Sequence, residues 1–169
     1  MRSEELRNSI LNAREQRWET LSRLTGSYRD GCVITIVCNA AGEEKDTPAM
    51  RRLIACAEEC MAKDADALTI GAYGDAAGYI VFMHSPLDAK SAKSAAVALE
   101  TKHERNRLLD IDIYNTDGQA ADRASMGIPP RRCLLCNEPA ADCIRTQRHA
   151  YPDIIAETHR LLTGFQESC

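Results

Sequence analysis

Residues 108–114 read LLDIDIY, an alternation of apolar and acidic side chains that is typical of a β-strand with one buried face. Side chains two residues apart in a strand point to the same side, so the apolar positions would face the core, and Asp110 and Asp112 would face away from it together. Two carboxylates placed in this way can share a Mg²⁺ ion that also binds phosphate oxygens. An ordinary solvated strand face is the alternative, because period-two alternation is common.

Upstream of this strand, the spacing of apolar residues predicts three further strands and three helices. They are a helix over residues 3–25, strands over 32–38, 68–73 and 79–83, a helix that begins at Thr47 and Pro48, and a helix from 85–88 to about His103. This order predicts the α+β class, with a β-α-β-β-α-β sheet core and helices on one face. Paired aspartates on a strand suggest a nucleotidyltransferase-like mixed sheet as the alternative.

The length of 169 residues predicts one domain spanning residues 1–169. We divide it into an N-terminal helix (1–25), the sheet core (31–115) and a tail rich in arginine and cysteine (119–169). Within the tail we expect a short helix near residues 120–126 and a last helix over about 153–162.

The formal net charge of −4 argues against general binding to nucleic acid. The sequence shows neither the apolar region of a signal peptide nor an apolar run of bilayer length, which predicts a cytoplasmic protein that does not enter the membrane.

Positive charge is nevertheless concentrated in one region. Residues 123–149 carry five arginines against two acidic residues. Arginine makes bidentate contacts with phosphate, so this local charge fits a small polyanionic ligand, with solvated surface charge as the alternative. Nearby, His103 could act as a general base, or could simply end the preceding helix. The five arginines are Arg123, Arg131, Arg132, Arg145 and Arg148.

The tail also contains three cysteines and a histidine at spacings that could hold a metal. Cys133, Cys136, Cys143 and His149 offer three thiolates and one imidazole, a set that suits tetrahedral Zn²⁺. The second half of the set is not a Cys-x-x-Cys pair, so buried thiols that pack the tail remain the alternative.

Taken together, residues 107–149 resemble the apo-citrate lyase phosphoribosyl-dephospho-CoA transferases, also called citrate lyase holo-acyl-carrier-protein synthases. The resemblance rests on RLLDIDI at 107–113, on GIPPRRCLLC at 127–136, and on Asp117, Gly118, Arg123, Pro139, Ala140, Cys143, Arg145 and His149. Weaker similarity at 13–17 (AREQR) and 38–45 (CNAAGEEK) extends it over nearly the whole chain. The sequence departs from the family at Asn106, where glycine is usual, and at residues 39–42, where the family has Asn-Ile-Pro-Gly.

The resemblance implies transfer of a 2′-(5″-phosphoribosyl)-3′-dephospho-CoA group from its triphosphate donor, triphosphoribosyl-dephospho-CoA, to a serine hydroxyl of the citrate lyase acyl carrier protein (the γ subunit). Pyrophosphate would leave. Such a step requires neutralised charge and reacting groups held in line.

We therefore predict Asp110 and Asp112 as Mg²⁺ ligands, Arg107 as a phosphate-binding catalytic residue and His103 as a candidate base. Further substrate-binding candidates are Arg131, Arg132, Arg145, Arg148, His149, Asn39, Lys45 and Arg14. The rival prediction is a non-catalytic, zinc-stabilised protein-binding module built on the cysteine cluster.

Overall fold

The apolar run CVITIVC forms the central strand of the sheet, β1 (Cys32–Cys38). Its β-branched side chains suit a strand covered on both faces, and Val33, Ile34 and Ile36 are all buried. The computed structural model describes residues 2–163, so residue 1 and residues 164–169 of the predicted domain lie outside it.

Three antiparallel strands join β1 in the order β2-β3-β1-β4. The strands β2 (Leu68–Asp75) and β3 (Gly78–Ser85) form a hairpin, and β4 (Leu109–Asn115) pairs with the other side of β1 as an edge strand. The predicted α+β class is confirmed. Every strand pairing within residues 2–163 is antiparallel, so the mixed sheet of the alternative prediction is not observed there.

Two helices cover one face of this sheet. Helix α2 (Pro48–Asp64) begins at the predicted position, where the Thr47 hydroxyl accepts a hydrogen bond from Met50 N at 3.3 Å. Helix α3 (Ala89–Lys102) begins after Asp88, whose carboxylate accepts hydrogen bonds from two backbone N–H groups of the first turn. A 3₁₀ helix, Glu104–Leu108, then leads into β4. The main core contains Ile34, Ile36, Leu53, Ile54, Met61, Met83, Leu108, Ile111 and Ile113.

Helix α1 (Arg2–Thr25) covers the opposite face of the sheet. Arg17 fixes α1 to the hairpin, because its guanidinium donates to both carboxylate oxygens of Asp75, at 2.6 and 2.7 Å, and to the Gly78 carbonyl at 2.6 Å. The sheet therefore lies between two helical layers. Leu21 of α1 packs in a second core cluster with Val33, Ile80 and Phe82.

The tail differs from the prediction between residues 120 and 126. The expected helix is absent there, and the segment forms turns. Gly127, at φ +67°, turns the chain away, and the following prolines at 129 and 130 cannot continue a helix. The tail does contain a short helix α4 (Ala140–Arg145) and the expected last helix, α5 (Tyr151–Thr163), which begins two residues earlier than predicted. Within residues 2–163, no helix has the length and apolarity needed to cross a membrane.

Candidate functional site

Asp110 and Asp112 lie side by side on the edge strand β4. The predicted alternation is confirmed, because Leu109, Ile111 and Ile113 are no more than 1% exposed and face the main core. The two aspartates are half-buried and lie on the other face. In the register, Asp110 lies opposite Val37 and Asp112 opposite Thr35 of β1.

Two buried charged side chains of α3 reach the open edge of β4. Lys93 Nζ donates to the Ile111 carbonyl at 2.8 Å, and Glu100 Oε1 accepts from Ile111 N at 3.1 Å. An edge strand leaves backbone groups unpaired, and these two side chains satisfy both polar groups of Ile111. Lys93 Nζ also lies 3.8 Å from Asp112 Oδ1. The α3 side chains therefore both complete the sheet edge and contribute charge to the aspartate site.

Glu100 is also the centre of an ion-pair network. Its carboxylate accepts hydrogen bonds from Arg123 and, at 2.5 Å, from Arg131 Nη2. The same Arg131 nitrogen lies 3.0 Å from Asp110 Oδ1. A buried carboxylate is stable only when paired, and here two guanidiniums and one backbone N–H supply the pairing. Arg131 is consequently the direct link between the arginine-rich tail and the strand aspartates.

Burial and neighbouring charges both act on the aspartate pair. The pKa of Asp112 is raised, first because the cleft partly removes it from water and then because of the charge of Asp110. Lys93 and Arg131 act in the opposite direction without cancelling the shift. The pKa of the neighbouring Tyr114 is raised to about 12 by burial and by the same two carboxylates. The two aspartates therefore lie in a partly desolvated site where carboxylates and cations are in close contact.

Asp110 and Asp112 line a cleft of about 400 Å³, bounded by Lys93, by Arg131 and by residues 120–124. A larger cleft, of about 840 Å³, is also lined by Arg131. Its lining contains four permanent cations, and among the described residues no carboxylate side chain lines it. An acid-free, cation-lined cleft on a chain of net charge −4 is suited to a polyanion. The cations are Lys45, Arg107, Arg131 and Arg132.

Arg131 also lines a third cleft, of about 490 Å³, so all three meet at this side chain. The candidate base His103 lines the third cleft together with Arg107 and Arg132. Several predicted residues are thus brought together around Arg131. Those lining the largest cleft are Asn39, Lys45, Arg107, Arg131, Arg132 and His149.

The loop after β1 forms one wall of the largest cleft. Asn39 N donates to the Leu108 carbonyl at 2.7 Å, and Lys45 Nζ donates to the Ala40 carbonyl at 2.9 Å. Gly42, at φ +110°, donates from its backbone N to the Tyr151 hydroxyl at 3.0 Å. The hydrogen bond between Gly42 and Tyr151 joins the loop to the start of α5, which also lines this cleft.

The predicted cysteine cluster assembles in space. The ligand atoms of Cys133, Cys136, Cys143 and His149 all lie within 4.8 Å of one another, a separation that could hold a metal ion. The Sγ atoms of Cys136 and Cys143 are 3.5 Å apart. His149 Nε2 is buried and has no hydrogen-bond partner in the described part of the chain. An unpaired buried imidazole nitrogen beside three sulfurs is an arrangement that suits a tetrahedral metal site.

The pKa values of two thiols in this cluster are shifted in opposite directions. Burial and the neighbouring thiols raise the pKa of Cys143 to about 12. Burial also acts to raise the pKa of Cys133, but hydrogen bonds from the backbone of Leu135 and Cys136 and from the neighbouring thiols together lower that pKa. Arg107 donates to the Cys133 carbonyl, so the cluster is held against a residue of the largest cleft.

Three other predicted arginines are not brought to these clefts. Arg14 is exposed on α1, and Arg148 is exposed after α4. The Arg145 side chain is 74% exposed and pairs with Asp142 at 3.3 Å. For residues 2–163, none of the three lines the clefts that meet at Arg131.

The roles of Lys93 and Glu100 were not predicted from the sequence, and Arg123 was named there only as one of the clustered arginines and not as a site residue. A signal for two of them is present, because Lys93 and Glu100 are seven residues apart and so share a helix face with Ala92, Ala96 and Leu99, which are all buried. Charged residues on an apolar helix face are unusual and indicate a paired, buried role.

Comparison with known proteins gives a consistent result. A family model described as apo-citrate lyase phosphoribosyl-dephospho-CoA transferase matches residues 6–165. A protein of that name from Citrobacter koseri is 36% identical over 91 residues, which cover 54% of this chain and 50% of the relative. Proteins of that name from Escherichia coli O9:H4 and Shigella boydii serotype 18 are 39% identical over 74 residues, covering 44% of this chain and 40% of each relative. The chain thus spans half or less of the length of the curated relatives that it matches.

Proposed function

The chain belongs to the apo-citrate lyase phosphoribosyl-dephospho-CoA transferase family, and on that premise we propose that it transfers the 2′-(5″-phosphoribosyl)-3′-dephospho-CoA group from its triphosphate donor to a serine hydroxyl of the citrate lyase acyl carrier protein. Pyrophosphate is the leaving group. The observation that carries the proposal is the position of Arg131, which joins a carboxylate-lined cleft to a larger cleft lined by cations.

The largest cleft is the donor site in this proposal. Its permanent cations supply charge for the triphosphate, and guanidiniums can contact phosphate oxygens in pairs. Its other lining residues include Leu134, Leu135, Ile144 and Ile154, which offer apolar surface to the rest of the donor. A mostly apolar cleft with a few convergent charged groups is the usual form of a cofactor-sized site.

Mg²⁺ would be held by Asp110 and Asp112. The donor set fits a hard cation, since it consists of carboxylate oxygens that lie together on one face of β4. When bound, the ion would neutralise charge on phosphate oxygens during the displacement. Arg107 and Arg131 would bind and orient the phosphate chain from the other side, and His103 is the candidate base.

Zinc would be held by Cys133, Cys136, Cys143 and His149. The nitrogen–sulfur ligand set and the unpartnered His149 Nε2 fit that ion. With all four positions taken by protein, the site would be structural and would fix the wall of the largest cleft.

A transfer assay tests the catalytic proposal. The chain is mixed with apo carrier protein, the triphosphate donor and Mg²⁺, and the gain in mass of the carrier is followed. Asp112→Asn removes one carboxylate charge from the proposed magnesium site, so we expect the initial rate to fall by at least about 100-fold, in line with the loss of a group that stabilises transition-state charge.

The matched control is Asp117→Asn, which makes the same charge change just beyond β4, at an exposed turn residue. We expect it to retain the wild-type rate. Full activity of Asp112→Asn in excess Mg²⁺ would remove Asp112 from the site.

The cysteine cluster also favours the second candidate, a zinc-stabilised binding module. The same sample distinguishes the two functions when its zinc is counted. An unmodified carrier alongside stoichiometric zinc would favour the module.

A further inference from the structure

We propose that Glu100 is a positioning residue that holds Arg131 at the junction between the aspartate cleft and the cation-lined cleft, so that Arg131 can bind a polyphosphate. The inference rests on the proposed function for its substrate, and it adds a residue that has no part in contacting that substrate.

The contacts of Glu100 hold its carboxylate in one position. The side chain is 3% exposed, and its two oxygens accept from Ile111 N at 3.1 Å, from Arg131 Nη2 at 2.5 Å and from Arg123. Both the helix that carries it and the strand that it contacts are main-core elements. Side-chain rotation would break a backbone contact and two charge-assisted hydrogen bonds together, so the carboxylate has little freedom to move.

Arg131 has a side chain that is more exposed to solvent than that of Glu100. Its side chain is 32% exposed, and its second carboxylate partner, Asp110, is 35% exposed. The pairing with Glu100 lies at the buried end of this chain of charges and the pairing with Asp110 at the open end. An arriving phosphate can therefore replace or share the contact with Asp110, while Glu100 keeps the guanidinium in place.

The sign of the effect separates positioning from simple charge. Glu100 carries a negative charge close to a site for anions. If its charge acted only by repelling the polyphosphate, removing that charge should strengthen polyphosphate binding. If Glu100 instead fixes the direction of Arg131, removing its charge leaves Arg131 and Arg123 to repel each other and weakens binding. The two explanations predict opposite directions.

Glu104→Gln is the matched control for Glu100→Gln. Glu104 lines the same 490 Å³ cleft, but its side chain is 61% exposed and pairs with Arg160 at 3.0 Å. Both substitutions remove one negative charge near Arg107 and Arg132, and only the first removes a partner of Arg131.

The measurement is calorimetric titration of the full chain with inorganic pyrophosphate, without donor or carrier. We expect Glu100→Gln to weaken binding by roughly tenfold, as for the loss of a well-oriented charged contact. We expect Glu104→Gln to bind pyrophosphate as tightly as the wild type or more tightly. In an Arg131→Gln background, Glu100→Gln should have little further effect, because the two residues act through one contact.

Glu100→Asp covers the case in which Glu100→Gln does not fold. It keeps the charge and shortens the reach, so positioning predicts weaker binding and a charge effect predicts none. Unchanged or tighter binding by the Glu100 variants, full additivity with Arg131→Gln, or a wild type that does not bind pyrophosphate would each overturn the proposal. A wild type that binds pyrophosphate yet transfers nothing to the carrier would contradict the proposed function and leave the role of Glu100 standing.

Discussion

At the scale of single residues, a thiol beside a cleft is not automatically reactive. Cys38 is only partly buried and precedes Asn39, which lines the largest cleft. Burial nevertheless raises its pKa to about 12, and the opposing charge of Lys45 is too weak to prevent this. The thiolate is the nucleophile, so Cys38 is poorly suited to covalent catalysis.

We therefore expect Cys38 to resist alkylation. With iodoacetamide at pH 8, its thiolate fraction is roughly a thousandfold below that of a free thiol, so its labelling should be slower by a similar factor. The rate should rise as the pH increases toward 11, because the neutral thiol is the form present below the raised pKa. Peptide mapping by mass spectrometry, with free cysteine in the same buffer as the reference, measures this. Labelling of Cys38 as fast as the reference would contradict the burial argument.

Residue-level prediction from the sequence succeeded where the signal is local. The period of two in LLDIDIY placed Asp110 and Asp112 on one side of β4 because strand geometry fixes it. It could not find the pairing of Glu100 with Arg131, since the two are 31 residues apart and meet only when the tail folds over α3. Arg145 was predicted to bind substrate, but its side chain is largely exposed to solvent. A cluster of arginines in the sequence does not specify which of them face solvent.

At the scale of elements, the start of a helix could be predicted where the sequence contains a strong cap. It could not be predicted where the surrounding structure determines whether a helix forms. Thr47 with Pro48 marked the start of α2, and α3 begins directly after residues 85–88, where the sequence predicted its opening. Residues 120–126 have helical composition, but Gly127 and the two prolines end the segment before it can form stabilising turns.

The local sequence of helix α4 is not sufficient to stabilise it, so contacts with the rest of the tail must contribute. It has six residues, and Pro139 at its N-terminal boundary supplies no side-chain cap. A helix this short is unstable alone in water. Cys143 lies within it and belongs to the cysteine cluster, so a metal bound there would hold α4 in position.

If the cluster binds zinc as proposed, removing the metal should therefore destabilise the tail. A ligand that binds only the folded chain at 100 times its Kd adds about 2.7 kcal/mol, so a strong chelator should lower the Tm by roughly 5–10 °C. Cys143→Ser should reproduce this loss and lack bound zinc. Calorimetry and metal analysis on the same samples measure both quantities.

Cys60→Ser is the control for this experiment, because Cys60 is a half-buried thiol on α2 that packs against the main core, away from the cluster. The Cys60→Ser variant should bind as much zinc as the wild type and should have a Tm close to that of the wild type. A chelator that leaves the Tm of the wild type unchanged would show that the cluster holds no stabilising metal.

At the scale of the whole molecule, the ion pair between Arg17 and Asp75 and the candidate site lie at opposite edges of the sheet. Asp75 belongs to β2 at one edge and the two aspartates of the site to β4 at the other, three strand spacings or about 14 Å away. The Arg17 and Asp75 side chains are 13% and 15% exposed, so their pairing joins α1 to the hairpin in a largely buried setting. Sites this far apart with no shared partner usually behave independently.

Arg17→Ala should consequently destabilise the fold without altering the site. Removing one member of a buried pair leaves the other carboxylate uncompensated and costs about 3–5 kcal/mol, which corresponds to a loss of roughly 6–20 °C in Tm. Well below that lower Tm, pyrophosphate affinity should stay within about twofold of the wild type, because the contacts of Arg131 with Glu100 and Asp110 are untouched. Arg17→Ala with Asp75→Ala should recover part of the stability, since no buried charge is then left alone. If Arg17→Ala instead weakened pyrophosphate binding as much as Glu100→Gln does, the two edges would be coupled through the sheet, and the separation of stability from chemistry would be wrong.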